Sequence, residues 1–94
     1  MNQELKKTLQ KMQAEEHKQR VELYKDIFSE KLRTLREERN YTQKTIAKKL
    51  GIPVSTYANW EQGRREPSIF DIFNIMSVYE IEANELFDIT DLIY

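Results

Sequence analysis

Apolar positions along the chain fall into short helical stripes separated by turn residues, and the clearest stripes lie between Thr42 and Pro67. Across 42–50, Ile46, Ala47 and Leu50 recur at i, i+1 and i+4, which places them on one face of a helix. Gly51 follows, a residue that leaves a helix at little cost through a left-handed conformation. Ile52 plugs the turn, and Pro53 suits the first position of a second helix. That helix, predicted over 54–62, turns Tyr57 and Trp60 inward and Val54, Ser55, Ala58 and Asn59 outward. Gly63 ends it, and Arg64 and Arg65 follow at once.

The flanking stretches complete an all-α pattern. Residues 29–39 read as a helix with Leu32 and Leu35 facing a core, whether capped at Ser29 or continuous with what precedes it. It ends around Asn40, which tolerates left-handed geometry, and Thr42 is the expected N-cap of the next helix. Residues 68–79 open with Ser-x-x-Asp, a capping signature, and are apolar almost all round, so one face closes the core and the other needs a second cover. A short fifth helix is expected over 83–87. Ahead of these, residues 1–28 are rich in helix formers and contain no Gly or Pro. Leu5, Leu9 and Met12 form one stripe, and Val21, Tyr24, Phe28, Leu32 and Leu35 form another. The polar run 13–20 between them leaves open one long helix or two meeting there. The organisation is therefore an N-terminal helical extension (1–28), a five-helix domain (29–87) and an apolar tail (88–94) carrying Ile89, Leu92, Ile93 and Tyr94.

Charge sharpens the picture. The 94 residues carry a net charge of −1, which taken alone argues against a polyanionic partner. The distribution argues the reverse: net +1 over 1–28, +4 over 29–66 and −6 over 67–94, where there is no Lys or Arg at all. A basic middle coinciding with the paired helices can turn one face toward phosphates. There is no cysteine, hence no disulfide, thiolate nucleophile or cysteine metal ligand. The single His17 sits in a highly charged stretch and reads as a solvated side chain. No apolar run is long enough to span a bilayer, and the N-terminus lacks a signal-peptide segment, so a cytoplasmic protein is expected. With two glycines in all and no nucleophile–base pair, neither an enzyme nor a cofactor or metal site is expected.

Two short helices joined by a tight Gly-containing turn describe a helix-turn-helix, whose second helix enters the major groove of DNA. The ordered set Tyr41-Thr42-Gln43, Ile46-Ala47, Leu50-Gly51-Ile52, Ser55-Thr56-Tyr57, Trp60-Glu61-Gln62-Gly63, Arg64-Arg65 and Pro67-Ser68, with Leu86-Phe87, resembles the Cro/lambda-repressor-like (XRE-type) family. The resemblance covers about residues 28–87 and implies a five-helix domain that binds duplex DNA as a dimer, of the phage or bacterial repressor type. It implies that Val54, Ser55 and Asn59 read bases: Val54 against a thymine methyl, Ser55 through its hydroxyl, Asn59 bidentate to adenine. By the same resemblance Gln43 bonds a phosphate, and Arg36 pairs with Glu61 beneath the recognition helix. Lys44, Thr56, Tyr57, Arg64 and Arg65 are further phosphate candidates, while Tyr57 and Trp60 also belong to the core. Two departures stand out. Phe70 occupies a position usually polar in the family, which points to an added contact. The family's glycine after the fourth helix is Glu80, so that cap is expected to be built differently.

Three roles stay open for residues 1–28: a dimerisation arm, a docking surface for another protein, or a solvated tail. The rival to a DNA-binding repressor is accordingly an antitoxin or interaction regulator that holds a protein partner with its arm or tail. The seam of a homodimer is expected on the acidic C-terminal side, with the arm either an alternative seam or a cover for Phe70 in its own subunit.

Overall fold

The computed structural model describes residues 3–87 and arranges them as five α-helices. These are α1 (Gln3–Glu38), α2 (Gln43–Leu50), α3 (Val54–Glu61), α4 (Ile69–Tyr79) and α5 (Ala83–Leu86). The tail 88–94, and with it the expected role of Ile89, Leu92 and Ile93 in a dimer seam, lies outside the described residues.

α1 is one helix of 36 residues, about 54 Å long at 1.5 Å per residue. The polar run 13–20 does not break it, because Gln, Glu, Lys and Ala are all good helix formers and no Gly or Pro intervenes. Position 28 therefore falls inside a continuous helix. Ser29 is an interior residue of α1 rather than a cap, and its hydroxyl donates to the Trp60 carbonyl at 2.9 Å. Every residue from Gln3 to Arg20 is exposed, Leu5, Leu9 and Met12 among them. Among the described residues, α1 joins the core through its C-terminal half, with Phe28, Leu32 and Leu35.

The core gathers one stripe from each helix: Leu32 and Leu35 of α1, Ile46, Ala47 and Leu50 of α2, Tyr57 and Trp60 of α3, Ile75 and Tyr79 of α4, and Leu86 of α5. Local chemistry fixes where these helices begin and end. Thr42 caps α2 by accepting from the Thr45 N–H at 3.0 Å. Ser68 and Asp71 form the full capping box of α4. Asn40 turns the chain out of α1 at φ 57°.

Three expectations need correction. Pro53 is the N-cap of α3, extended at ψ 145°, and not its first helical residue. Glu80 takes the left-handed cap itself, at φ 56°, so α4 ends with the geometry a glycine would have given. The bond from the Ile81 N–H to the Met76 carbonyl at 3.0 Å holds it there, together with the packing of Ile81 on the core. Finally, the arm does not cover Phe70, which remains 78% exposed beside the exposed Ile69 and Phe73 on α4.

Candidate nucleic-acid interface

The turn between α2 and α3 is closed by backbone bonds that the sequence makes inexpensive. Gly51 sits at φ 74°, its N–H reaching the carbonyls of Ala47 and Lys48, and the Ile52 N–H returns to Ala47 at 3.0 Å. Space is open around a Cβ at Gly51, so conformation rather than crowding calls for glycine there. The amide of Asn74 on α4 donates to the last α2 carbonyl, Leu50, at 2.8 Å. Together these contacts set α2 against α4 and deliver the chain into α3.

Beneath α3 lies one carboxylate that ties three helices together. The Glu61 side chain is 1% exposed. It accepts from Arg36 Nε at 3.0 Å and from Arg36 Nη2 at 3.1 Å, so the guanidinium fork engages both carboxylate oxygens. Gln43 Nε2, at the start of α2, donates to the same carboxylate at 3.2 Å. Arg36 in turn donates from Nη1 to the Tyr41 carbonyl at 2.9 Å, across the loop that joins α1 to α2. The hydrogen bond to Glu61 raises the Arg36 pKa further above its already high value, so the guanidinium is charged at any accessible pH. A buried charge is tolerated only when paired, and here the pairing also fixes the angle of α3 against α1 and α2.

The sequence-predicted residues distribute around this frame. Val54 and Ser55 are exposed on the first turn of α3, and Asn59 follows one turn on, half-buried. Thr56 is half-buried on that first turn. Gln43 is half-buried at the start of α2; its amide has a second N–H hydrogen, so the bond to Glu61 orients it without exhausting it. Lys44 is exposed beside it. The Asn59 carbonyl accepts from the N–H groups of Arg64 at 3.0 Å and Arg65 at 3.4 Å, pinning the exit of α3 and leaving both arginine side chains exposed.

Tyr57 is corrected. Its side chain is fully buried and its hydroxyl donates to the Leu32 carbonyl at 3.4 Å, so it cannot reach a phosphate. Burial pushes its pKa far above the usual phenol value. Its neighbour Tyr79, also buried, is pushed up to about 12 for the same reason. Two anchors escaped the sequence reading, Ser29 on the Trp60 carbonyl and Asn74 on the Leu50 carbonyl. Asn74 stands out in the sequence only as an amide within the apolar run 69–79; the residue is exposed, so burial does not demand the bond.

The helix-turn-helix family model matches residues 32–86, more than half of the chain and the whole of this frame. The chain belongs to the helix-turn-helix family. Its fold is that of the Cro/lambda-repressor-like, XRE-type members. The uncharacterized HTH-type transcriptional regulator YazB of Bacillus subtilis (strain 168) is 39% identical over 61 residues, covering 65% of this chain and 88% of YazB. The cryptic phage CTXphi transcriptional repressor RstR of Vibrio cholerae is 32% identical over 60 residues, covering 64% of this chain and 54% of RstR. Among solved structures, the restriction-modification controller protein C.AhdI of Aeromonas hydrophila is similar with a TM-score of 0.63 and 33% identity, covering 71% of this chain and 98% of that one. The chain spans about half the length of two of the curated relatives it matches. All these matches leave a substantial part of this chain uncovered.

Proposed function

We propose that this helix-turn-helix protein binds duplex DNA sequence-specifically, with α3 in the major groove, and regulates transcription as a repressor of phage or bacterial type. The observation that carries the reading is the Glu61 hub: it fixes α3 rigidly while leaving Val54 and Ser55 exposed with no part in the core. In this reading Val54, Ser55 and Asn59 meet base edges. Gln43, Lys44, Thr56, Arg64 and Arg65 meet phosphates on either side, supported by the net +4 of residues 29–66. RstR is named as a transcriptional repressor and C.AhdI as a controller protein, which supports regulation as the task. Binding to chromosomal or phage DNA places the protein in the cytoplasm, and no helix among the described residues is long and apolar enough to cross a membrane. No cofactor, metal or catalytic step enters this reading.

One recognition helix inspects too few base pairs to define a genomic address, so the functional unit is a homodimer on an inverted repeat. The exposed Ile69, Phe70 and Phe73 on α4, within the stretch 67–94 that carries no Lys or Arg, offer a seam away from the basic face, consistent with Phe70 being unusual for the family. A second reading, an antitoxin or interaction regulator gripping a protein through residues 1–28, is favoured by the exposure of Leu9 and Met12 on the projecting half of α1. The two are separated by fluorescence anisotropy with a labelled duplex over a range of salt. With about 4–6 phosphates neutralised per subunit, log affinity should fall by roughly 0.9 per contact for each unit of log salt. Affinity that does not change with salt would remove the phosphate surface and leave the protein-partner reading.

A further inference from the structure

α1 carries a second apolar row that takes no part in the core. Leu9, Met12 and Leu23 are 41%, 57% and 49% exposed. At about 100° per residue they share one side of the helix, roughly 140° round from the core-facing row Phe28, Leu32 and Leu35. The domain therefore sits on one side of α1 while this row faces away from it. Positions 5, 9, 12, 16, 19 and 23 along the row are spaced alternately by four and three, as the a and d positions of a heptad are. Leu9, Glu16 and Leu23 fall at a, and Leu5, Met12 and Gln19 at d, over about 27 Å of helix.

Charges on the two flanks of this row are sorted by sign. Thr8, Glu15 and Glu22 line one flank, at g, and Lys6, Gln13 and Arg20 the other, at e; all six are exposed. Such a face is complementary to itself in one orientation. Two copies laid parallel bring the acidic flank of each against the basic flank of the other. Glu15 then meets Arg20 of the other copy across the five-residue g-to-e spacing, twice per pair. Laid antiparallel, like flanks meet, with Glu15 against Glu15 and Lys6 against Arg20. Glu16 and Gln19 weaken the middle of such a seam, and they disfavour any slipped register that would set them against Leu9, Met12 or Leu23.

We propose that residues 5–23 of two copies of this chain pair as a parallel, in-register coiled coil. Leu9, Met12 and Leu23 each pack on their own counterpart, and Glu15 pairs with Arg20 of the other copy. Because the domain lies on the opposite side of α1, the two domains hang outside the pair, side by side at the same end. Where α4 also forms a seam, the arms join two such dimers. Self-pairing of the arm does not depend on DNA binding.

The absence of cysteine makes the test direct. In the full chain, Leu9→Cys and Leu23→Cys, made separately, are compared with Ala14→Cys, on roughly the opposite face of α1. Parallel pairing seats positions 9 and 23 each on itself, so both variants should form interchain disulfides at least about tenfold faster than Ala14→Cys. Rates equal to that control would overturn the proposal and leave this face to a different protein. Disulfides that form only when the Leu9→Cys and Leu23→Cys proteins are mixed would overturn it in favour of antiparallel pairing. Charge reversal gives a second readout, by sedimentation equilibrium. Glu15→Arg and Arg20→Glu should each weaken self-association about tenfold, since each turns two attractions per pair into repulsions, and the double variant should return to within about twofold of the parent. Within one chain the two positions lie about 140° apart round the helix, so no contact inside a single arm would explain the rescue. Single reversals without effect, or a double variant no tighter than either, would equally overturn it.

Discussion

Replacing Glu61 by Ala isolates the contact on which the position of α3 depends. The side chain is 1% exposed, and its loss strips Arg36 of its Nε and Nη2 partners and Gln43 of its acceptor. Removing one member of a buried pair costs about 3–5 kcal/mol, mostly through the charge left behind. The Arg36 side chain is 15% exposed and keeps the Tyr41 carbonyl at 2.9 Å, so some water reaches it and the lower end of that range applies. A domain of this size has a total stability of roughly 5–14 kcal/mol, so the variant should remain folded at low temperature. Its melting point should fall by more than about 10 °C, since each kcal/mol is worth about 4–8 °C in a domain of 60–100 residues. Arg36→Ala should cost at least as much as Glu61→Ala, because the carboxylate it abandons is 1% exposed and is left with only Gln43 and, at 3.9 Å, Arg33 Nε. Circular dichroism melts of both single variants and the double variant form a cycle, and the coupling should exceed about 1 kcal/mol. Additive losses, or a melting point of Glu61→Ala within a few degrees of the parent, would refute the idea that this carboxylate ties the helices together.

Other consequences are open to measurement. Asn59→Ala should relax preference at one base pair per half-site by about 1–3 kcal/mol, whereas Arg64→Ala or Arg65→Ala should weaken all duplexes alike and flatten the salt slope; competition with singly substituted duplexes tells them apart. Glu80→Gly should raise stability by about 1 kcal/mol in denaturant titrations, because Glu80 holds a left-handed conformation at φ 56° that costs a residue with a Cβ about that much. Tyr79 stays neutral when folded, its pKa raised by burial from 10.0 to about 12. Its contribution is therefore fully present below pH 10 and lost as pH rises through about 12, and Tyr79→Phe should blunt the alkaline loss of stability between those values.

The parts of the fold legible in the sequence are those where local and tertiary preferences agree. Thr42, Gly51 and the Ser68–Asp71 box each favour the conformation they adopt, so α2, the turn and the start of α4 could be placed within a residue or two. Glu80 was misread because its own preference opposes the left-handed cap, and the packing of Ile81 overrides it. The continuity of α1 was ambiguous for a different reason. Stripes identify a helix by what it buries, and residues 3–20 are all exposed. In the interface, outward positions of α3 follow from periodicity once its start is known. Tyr57 shows the limit of that rule: a phenol near a helix start suits a phosphate or a core equally well, and only its fully buried position decides. The three-way bond among Arg36, Glu61 and Gln43 joins residues 18 and 25 positions apart. No local pattern encodes it, and only the family resemblance pointed to the pair within it.

Selection of bound sequences from a random pool of duplex DNA tests the central claim, that the face of α3 reads base pairs. The parent protein should enrich an inverted repeat whose half-sites lie about 10–10.5 bp apart, centre to centre. Asn59→Ala should enrich the same repeat with one symmetric position relaxed. A pool that remains random after successive rounds, while the protein stays folded and dimeric, would contradict sequence-specific readout by this helix.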